Sequence, residues 1–156
     1  MLFRSYLEFM VDELLPWVKA SYPVLDGSPN RALMGCSRGA LLSIYALCEY
    51  PHLYGSAACL SSHWPHGDGI MIDWLESHLP LPGEHRFYFD YGDQGLDAAY
   101  EPYQKRMDEL MRSRGYRDGH DWLTRFFSGH GHSERYWAER LLRPLEFLYA
   151  EEQHEA

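Results

Sequence analysis

One pentapeptide contains residue types that could perform nucleophilic chemistry. Residues 35–39 read Gly-Cys-Ser-Arg-Gly, a GxSxG pattern between an apolar run at 31–34 and an apolar segment at 40–47. A nucleophilic serine on a sharp strand-to-helix turn needs nearby glycines so that side chains do not clash there. The helix N-terminus offers free backbone N–H groups to an oxyanion, and that of Arg38 would be one donor. The alternative is a glycine-rich turn with Ser37 as a helix cap.

A serine hydroxyl needs a base, and the base needs an acid that orients it. Where the serine follows a strand in this way, the chain order is Ser, then Asp or Glu, then His, each just after a later strand. Asp93 and Asp97 follow one predicted strand, and His130 and His132 follow the next. This order predicts a Ser-Asp-His triad that begins with Ser37. Taken singly, Asp97 could be a helix N-cap and His132 a surface residue at a helix start.

Helices and strands alternate along the chain. Apolar residues from Phe3 to Val18 recur at spacings of three and four, which predicts an amphipathic helix over 2–20, kinked at Pro16. Strands are predicted at 31–34, 55–60, 86–91 and 122–127, and further helices at 40–47, 71–78, 96–111 and 133–149, the last bent at Pro144. The alternation predicts one domain over 1–156, a three-layer αβα sandwich with a mostly parallel sheet.

Composition excludes several function classes. The 156 residues are 46% hydrophobic and 24% charged, as in soluble globular proteins. The formal net charge of −9 disfavours a nucleic-acid partner. No segment has the ~20 apolar residues of a membrane helix, and the N-terminus lacks a secretion signal. The three cysteines include no CxxC pair, so we expect free thiols in a cytoplasmic protein and no structural zinc.

Four stretches of the chain resemble the putative-esterase (esterase D-like) group of α/β-hydrolases. They are ALMGCSRGALLSIYALCEYP (32–51), YGSAACLSSHW (54–64), YFDYGDQGLDAAYEPYQ (88–104) and HGHSERYWAERLLRPLEFL (130–148). The resemblance implies that Ser37 is the nucleophile, Asp97 the triad acid, and His132 the general base and acid. It implies no cofactor.

Alternatives remain for two of these roles. His130 stands two positions before His132, where the family pattern is variable, and ranks second as the base. Asp93 and Asp90 remain alternatives for the acid, and Asp90 is the weaker because it lies within the predicted strand.

The resemblance covers the later strands of an eight-stranded family sheet, so it implies the C-terminal half of the fold. In the family, a loop after the third strand supplies a second oxyanion N–H, and losing such a donor costs about 3 kcal/mol. The strand at 31–34 would then be a sheet edge, and we expect that edge to permit a homodimer.

The neighbours of Ser37 suggest how a substrate could be held. Cys36 and Arg38 flank it, where relatives often have a small residue and Met, and Arg38 either favours acidic substrates or points to solvent. His63 and Trp64 follow the strand at 55–60 and are expected to line the cleft mouth. Their spacing to other histidines matches no compact zinc pattern.

Taken together, the residues and the resemblance predict a serine hydrolase acting on carboxylic esters through an acyl-enzyme. The rival hypothesis is a non-catalytic scaffold that binds a partner, or a second copy, along its open sheet edge.

Overall fold

A single parallel sheet organises the molecule. The computed structural model describes residues 2–149, with side chains from residue 4 onward. Its strands are β1 (Ala32–Cys36), β2 (Ser56–Leu60), β3 (Arg86–Gln94) and β4 (Trp122–Gly131), in the order β1-β2-β3-β4. All three neighbouring pairs are parallel. The predicted four-stranded sheet is therefore confirmed. All four strands end at the same edge, which brings the segments that follow them together.

Helices connect the strands, as parallel pairing requires. They are α1 (Leu2–Phe9), α2 (Leu15–Ser21), α3 (Arg38–Glu49), α4 (Ile70–His78), α5 (Glu101–Ser113), α6 (Glu134–Arg140) and α7 (Leu142–Tyr149). Short 3₁₀ turns lie at Ser28–Asn30, His66–Gly69 and Gly95–Ala99.

Apolar side chains cover both faces of the sheet. On one face, buried residues of α3, α4 and α5 pack against alternate residues of β2 and β3, including Cys59 and Phe89. On the other face, Leu60 and Tyr88 pack with Leu148 and with partly buried Trp137. Because successive strand residues point to opposite faces, each strand contributes to both clusters. The predicted αβα layering is confirmed.

Two prolines interrupt helices earlier than the sequence predicted. A π-helical turn at Met10–Leu14 precedes Pro16, and the last helix breaks at Leu141, three residues before Pro144. Proline has no N–H to donate to the carbonyl four residues back, so the irregularity falls on the preceding turn. Phe3, which was expected on the apolar face of the first helix, lies outside the described side chains. The domain range 1–156 stays a prediction.

The last two strands are longer than predicted, and a glycine allows this. β3 continues to Gln94 and β4 to Gly131, with a register shift between Gly92 and Gln94. A Cβ at Gly92 would stand 2.0 Å from the His130 carbonyl oxygen. Only glycine permits this close approach, which extends the pairing into a segment that was expected to be a loop.

β1 is an edge strand within residues 2–149. It pairs with β2 on one side, and Met34 at its centre is 39% exposed. An edge of this kind presents backbone groups that a second strand can pair with. The expected homodimer through this edge stays a prediction.

Candidate active site

Ser37 lies in a strained turn directly after β1. Its φ is 57° and its ψ is −119°, a conformation that non-glycine residues rarely adopt. The Ser37 N–H donates to the Leu60 carbonyl at 2.9 Å, which ties the turn to the end of β2. Arg38 begins α3, so its backbone N–H has no intrahelical acceptor. The turn thus presents a serine and a free N–H at the edge of the sheet where the strands end.

The two glycines of the pentapeptide have different roles. A Cβ at Gly35 would stand 2.3 Å from both the carbonyl carbon and the carbonyl oxygen of Gly39. A Cβ at Gly39 would have no neighbour within 4 Å. The expectation that both glycines relieve side-chain clashes is therefore correct only for Gly35, where β1 and α3 touch.

Asp97 and His132 are in direct contact. His132 Nδ1 lies 2.7 Å from Asp97 Oδ1, although the two residues are 35 positions apart. Asp97 belongs to the 3₁₀ turn after β3, and His132 directly follows β4. The Asp97 side chain is fully buried, whereas 15% of the His132 side chain is exposed. A carboxylate in this position can hold one tautomer of the imidazole, with the proton on Nδ1.

Three donors surround the Asp97 carboxylate. Besides His132, the Gly92 N–H donates to Oδ2 at 2.9 Å, and the Ser61 hydroxyl donates to the same oxygen at 2.7 Å. The guanidinium of Arg140 lies 3.7 Å from Oδ2. Buried carboxylates need such partners, because burying a bare charge is costly.

The alternative candidates have other partners. Asp93 accepts hydrogen bonds from the Ser128 hydroxyl at 3.0 Å and the Gly129 N–H at 2.8 Å. The side chain of Gln94 and the Gly129 N–H lower the pKa of Asp93. The His130 ring packs against Tyr136, with ring centroids 4.9 Å apart.

Asp90, the other alternative acid, is buried inside the sheet. Its Oδ1 accepts from the Ser61 N–H at 3.0 Å and lies 3.3 Å from Arg140. Burial raises the pKa of Asp90 to about 7, and Arg140 and the Ser61 N–H act against that rise.

Tyr100 interacts with both the serine and the histidine. The Ser37 side chain is within hydrogen-bonding reach of the Tyr100 hydroxyl, and the Tyr100 ring meets the His132 ring edge-on at 5.6 Å. The Tyr100 hydroxyl also lies 2.7 Å from His63 Nδ1. Burial raises the pKa of Tyr100, so the phenol stays protonated at neutral pH and can donate.

His63 follows β2 and lies beside Ser37, and its expected place at the cleft mouth stays a prediction. The backbone N–H of His63 donates to the Ser37 carbonyl at 3.3 Å. Burial lowers the pKa of His63, and the charges of His132, His66 and Arg38 act in the same direction. The imidazole is therefore mostly neutral at pH 7. The Arg38 side chain is exposed.

Trp64 is buried rather than at the expected cleft mouth, and the substrate-binding role expected of Cys36 stays a prediction. Trp64 is 1% exposed, belongs to the core cluster on the α3–α5 face, and donates its indole N–H to Gln104 at 2.8 Å. Cys36 packs against the cluster on the opposite face, and burial raises its pKa to about 11. Large apolar surface drives a tryptophan into the core when its N–H finds a buried acceptor.

Sequence reasoning missed the polar groups that support the pair. Ser61, Tyr100, Trp137 and Arg140 all lie next to Asp97 or His132. A signal existed for Ser61, because it directly follows β2 at the edge where the other strands end.

Within residues 4–149, no group of three or more His, Cys, Asp and Glu side chains is arranged to hold a metal ion. The helices described between residues 2 and 149 include none long and apolar enough to cross a bilayer.

Comparison with known proteins identifies relatives that are longer than this chain. An uncharacterized protein of Bacillus subtilis strain 168, YbbA, is 23% identical over 153 residues, which cover 92% of this chain and 59% of YbbA. Another from the same strain, YjcH, is 33% identical over 54 residues, covering 35% of this chain and 22% of YjcH. The chain thus spans less than two thirds of the relatives it matches.

Solved structures share the fold. The enterobactin esterase FES of Shigella flexneri, solved with 2,3-di-hydroxy-N-benzoyl-glycine, superposes with a TM-score of 0.76 at 22% identity, covering 92% of this chain and 38% of that one. A ferulic acid esterase of Anaeromyces mucronatus superposes with a TM-score of 0.66 at 17% identity, covering 84% and 48%. These likenesses confirm the predicted α/β-hydrolase type of fold. A family model described as "Putative esterase" matches residues 2–148, and the chain belongs to that family.

Proposed function

We propose that the chain is a serine hydrolase that cleaves carboxylic esters through an acyl-enzyme. The observation that carries the proposal is the 2.7 Å contact of His132 with buried Asp97, at the same sheet edge as the strained Ser37 turn. Family membership supports ester hydrolysis in general. The structural neighbours are named as enterobactin and ferulic acid esterases, and an ester bond is what those names share.

In the proposed reaction, His132 takes the hydroxyl proton as Ser37 attacks the ester carbonyl. Asp97 keeps the Nδ1 proton on the imidazole, so that Nε2 is free to act as the base. The alcohol leaves with the proton from His132. His132 then takes a proton from water as the water oxygen attacks the acyl carbonyl. The bond to Ser37 breaks, and the Ser37 oxygen recovers the proton from His132. No cofactor takes part in this proposal.

The oxyanion would be held by the backbone N–H of Arg38, at the start of α3. A helix N-terminus favours negative charge, and donors aimed at the developing oxyanion give a large part of the rate enhancement. In the family that the chain resembles, a loop after the third strand supplies a second N–H. A site with one donor fewer would be slower by about 10²–10³.

Labelling with a fluorophosphonate tests the proposal directly. The purified chain is incubated with the probe and read by intact mass, beside Ser37→Ala and the control Ser113→Ala, whose hydroxyl lies at the end of α5. We expect one adduct on the wild type and the control, and none on Ser37→Ala. Hydrolysis of p-nitrophenyl acetate should follow the same pattern.

A non-catalytic scaffold is the second candidate, and the exposed edge of β1 is the observation that favours it. This alternative predicts a folded chain without labelling or turnover, and a defined oligomer. A cytoplasmic location stays a prediction.

A further inference from the structure

We propose that Ser61 is a positioning residue that orients the Asp97 carboxylate toward His132, with Trp137 and Arg140 fixing the direction of its hydroxyl proton. The inference rests on the proposed function of the Asp97–His132 pair. Ser61 directly follows β2, is 0% exposed, and is neither the nucleophile nor a member of the predicted triad.

The hydrogen bonds around the Ser61 hydroxyl leave one position for its proton. Ser61 Oγ lies 3.0 Å from Trp137 Nε1, 2.5 Å from Arg140 Nη2 and 2.7 Å from Asp97 Oδ2. Indole and guanidinium nitrogens can only donate, so the hydroxyl accepts from both of them with its two lone pairs. The single O–H must therefore point at the Asp97 carboxylate.

This arrangement assigns different partners to the two carboxylate oxygens. Oδ2 accepts from the Ser61 hydroxyl and from the Gly92 N–H, whereas Oδ1 faces His132 Nδ1. Rotation of the carboxylate would break two bonds in a region from which water is excluded. Trp137 donates to Ser61 and also meets the His132 ring edge-on at 4.9 Å. It therefore contacts both ends of the Ser61–Asp97–His132 chain of hydrogen bonds.

Buried charge supports the same geometry. The Arg140 guanidinium is 1% exposed and lies 3.7 Å from Asp97 Oδ2 and 3.3 Å from Asp90 Oδ1. Its positive charge offsets part of the cost of burying the Asp97 carboxylate, and Asp90 offsets part of the cost of burying Arg140. Arg140 comes from α6 and Asp90 from β3, so this ion pair ties α6 to the sheet.

The backbone of Ser61 is strained. Its φ is 43°, a left-handed value uncommon for a residue with a side chain. The Asp90 carboxylate and the Asp90 backbone carbonyl both accept from the Ser61 N–H, at 3.0 Å and 2.9 Å. A glycine would adopt this conformation without strain, yet the position carries a hydroxyl that makes three contacts. Strain of this kind is often kept where a side chain has a task.

Two substitutions separate the hydroxyl from the backbone strain. Ser61→Ala removes the hydroxyl and keeps the strain, whereas Ser61→Gly removes both. If the hydroxyl positions Asp97, kcat should fall by about tenfold to a hundredfold in both variants, the effect of one hydrogen bond to a charged group, with KM little changed. The control is Ser62→Ala, whose neighbouring buried hydroxyl only reaches the Cys59 carbonyl at 3.4 Å and should leave kcat unchanged.

Two results would overturn the inference. One is a kcat close to that of the wild type in folded Ser61→Ala. The other is a loss in Ser61→Ala that is largely restored in Ser61→Gly, because activity would then follow backbone strain rather than the hydroxyl.

A spectroscopic readout does not depend on turnover. A proton shared between His132 Nδ1 and Asp97 should give a far-downfield proton resonance, assigned by its loss in His132→Gln. We expect that resonance to move or broaden in both Ser61 variants and to stay in place in Ser62→Ala. An unmoved resonance in the Ser61 variants contradicts the inference. An inactive, unlabelled wild type that still shows the resonance and its shift contradicts only the proposed function.

Discussion

Replacing Asp97 by Asn tests the proposed acid by changing one atom. In one orientation, the NH₂ of the new amide faces the Gly92 N–H and the Ser61 hydroxyl. In the wild type these two groups donate to Asp97 Oδ2 at 2.9 Å and 2.7 Å, and in this orientation both lose their acceptor. Each buried unsatisfied group costs about 1–3 kcal/mol, so this orientation costs about 2–6 kcal/mol.

In the other orientation, the carbonyl of the new amide keeps both of those bonds and the NH₂ faces His132. The imidazole must then accept at Nδ1 and carry its proton on Nε2, where it cannot take the proton of Ser37. The competent tautomer is therefore reached only through the costly orientation. At 1.4 kcal/mol per factor of ten, kcat should fall by about 30-fold to 10⁴-fold.

The assay is hydrolysis of p-nitrophenyl acetate under saturating conditions, with thermal unfolding to show that the variant is folded. The matched control is Asp93→Asn, because Asp93 lies four residues earlier and binds the Ser128 hydroxyl and the Gly129 N–H instead. The control should keep kcat within about threefold of the wild type, as expected for a surface site. A large loss in Asp93→Asn together with near-normal Asp97→Asn would refute the reasoning and identify Asp93 as the acid.

Four further outcomes follow from the geometry. Gly35→Ala should lower the free energy of unfolding by about 3 kcal/mol or more, because the new Cβ meets the backbone of Gly39. The control Gly39→Ala has no atom within 4 Å of its new Cβ, so it should unfold at the same or a slightly higher urea concentration than the wild type. Burial raises the pKa of Asp90 to about 7, so the folded state holds a proton there that the unfolded chain releases above its ordinary carboxyl range. The free energy of unfolding should therefore rise as pH falls from 8 to 5.5, by up to ~1.4 kcal/mol per unit, and urea titrations of Asp90→Asn should lack that component. At low salt, Arg38→Gln should lower kcat/KM about fivefold for an ester with an anionic acyl group. For a neutral ester, kcat/KM should not change. Equal losses of kcat/KM for the two esters would contradict a charge effect. Sedimentation should show a dimer of the wild type that Met34→Lys dissociates, and a monomeric wild type would rule out pairing through β1.

The order of the elements could be predicted from local sequence. Four apolar or aromatic runs between turn signals became the four strands, and the apolar segment after the pentapeptide became the buried helix α3. Side-chain periodicity and turn chemistry act over a few residues, so they are readable without the fold. The same local signals placed Ser37 on a strand-to-helix turn and put candidate acids and bases after later strands.

Only the tertiary structure shows which of those candidates are in contact with one another. Asp93 and Asp97 stand four residues apart with similar local sequence, but the 3₁₀ turn after β3 buries Asp97 beside His132 and leaves Asp93 on the Ser128–Gly129 turn. The Ser61–Arg140 contact joins residues 79 positions apart, and the indole of Trp64 found its buried acceptor 40 positions away. Such contacts depend on which faces and ends of distant elements the sheet brings together. Local propensity carries no record of that assembly, and so the sequence determined the chemistry available to this protein while the packing of the sheet decided which residues share the site.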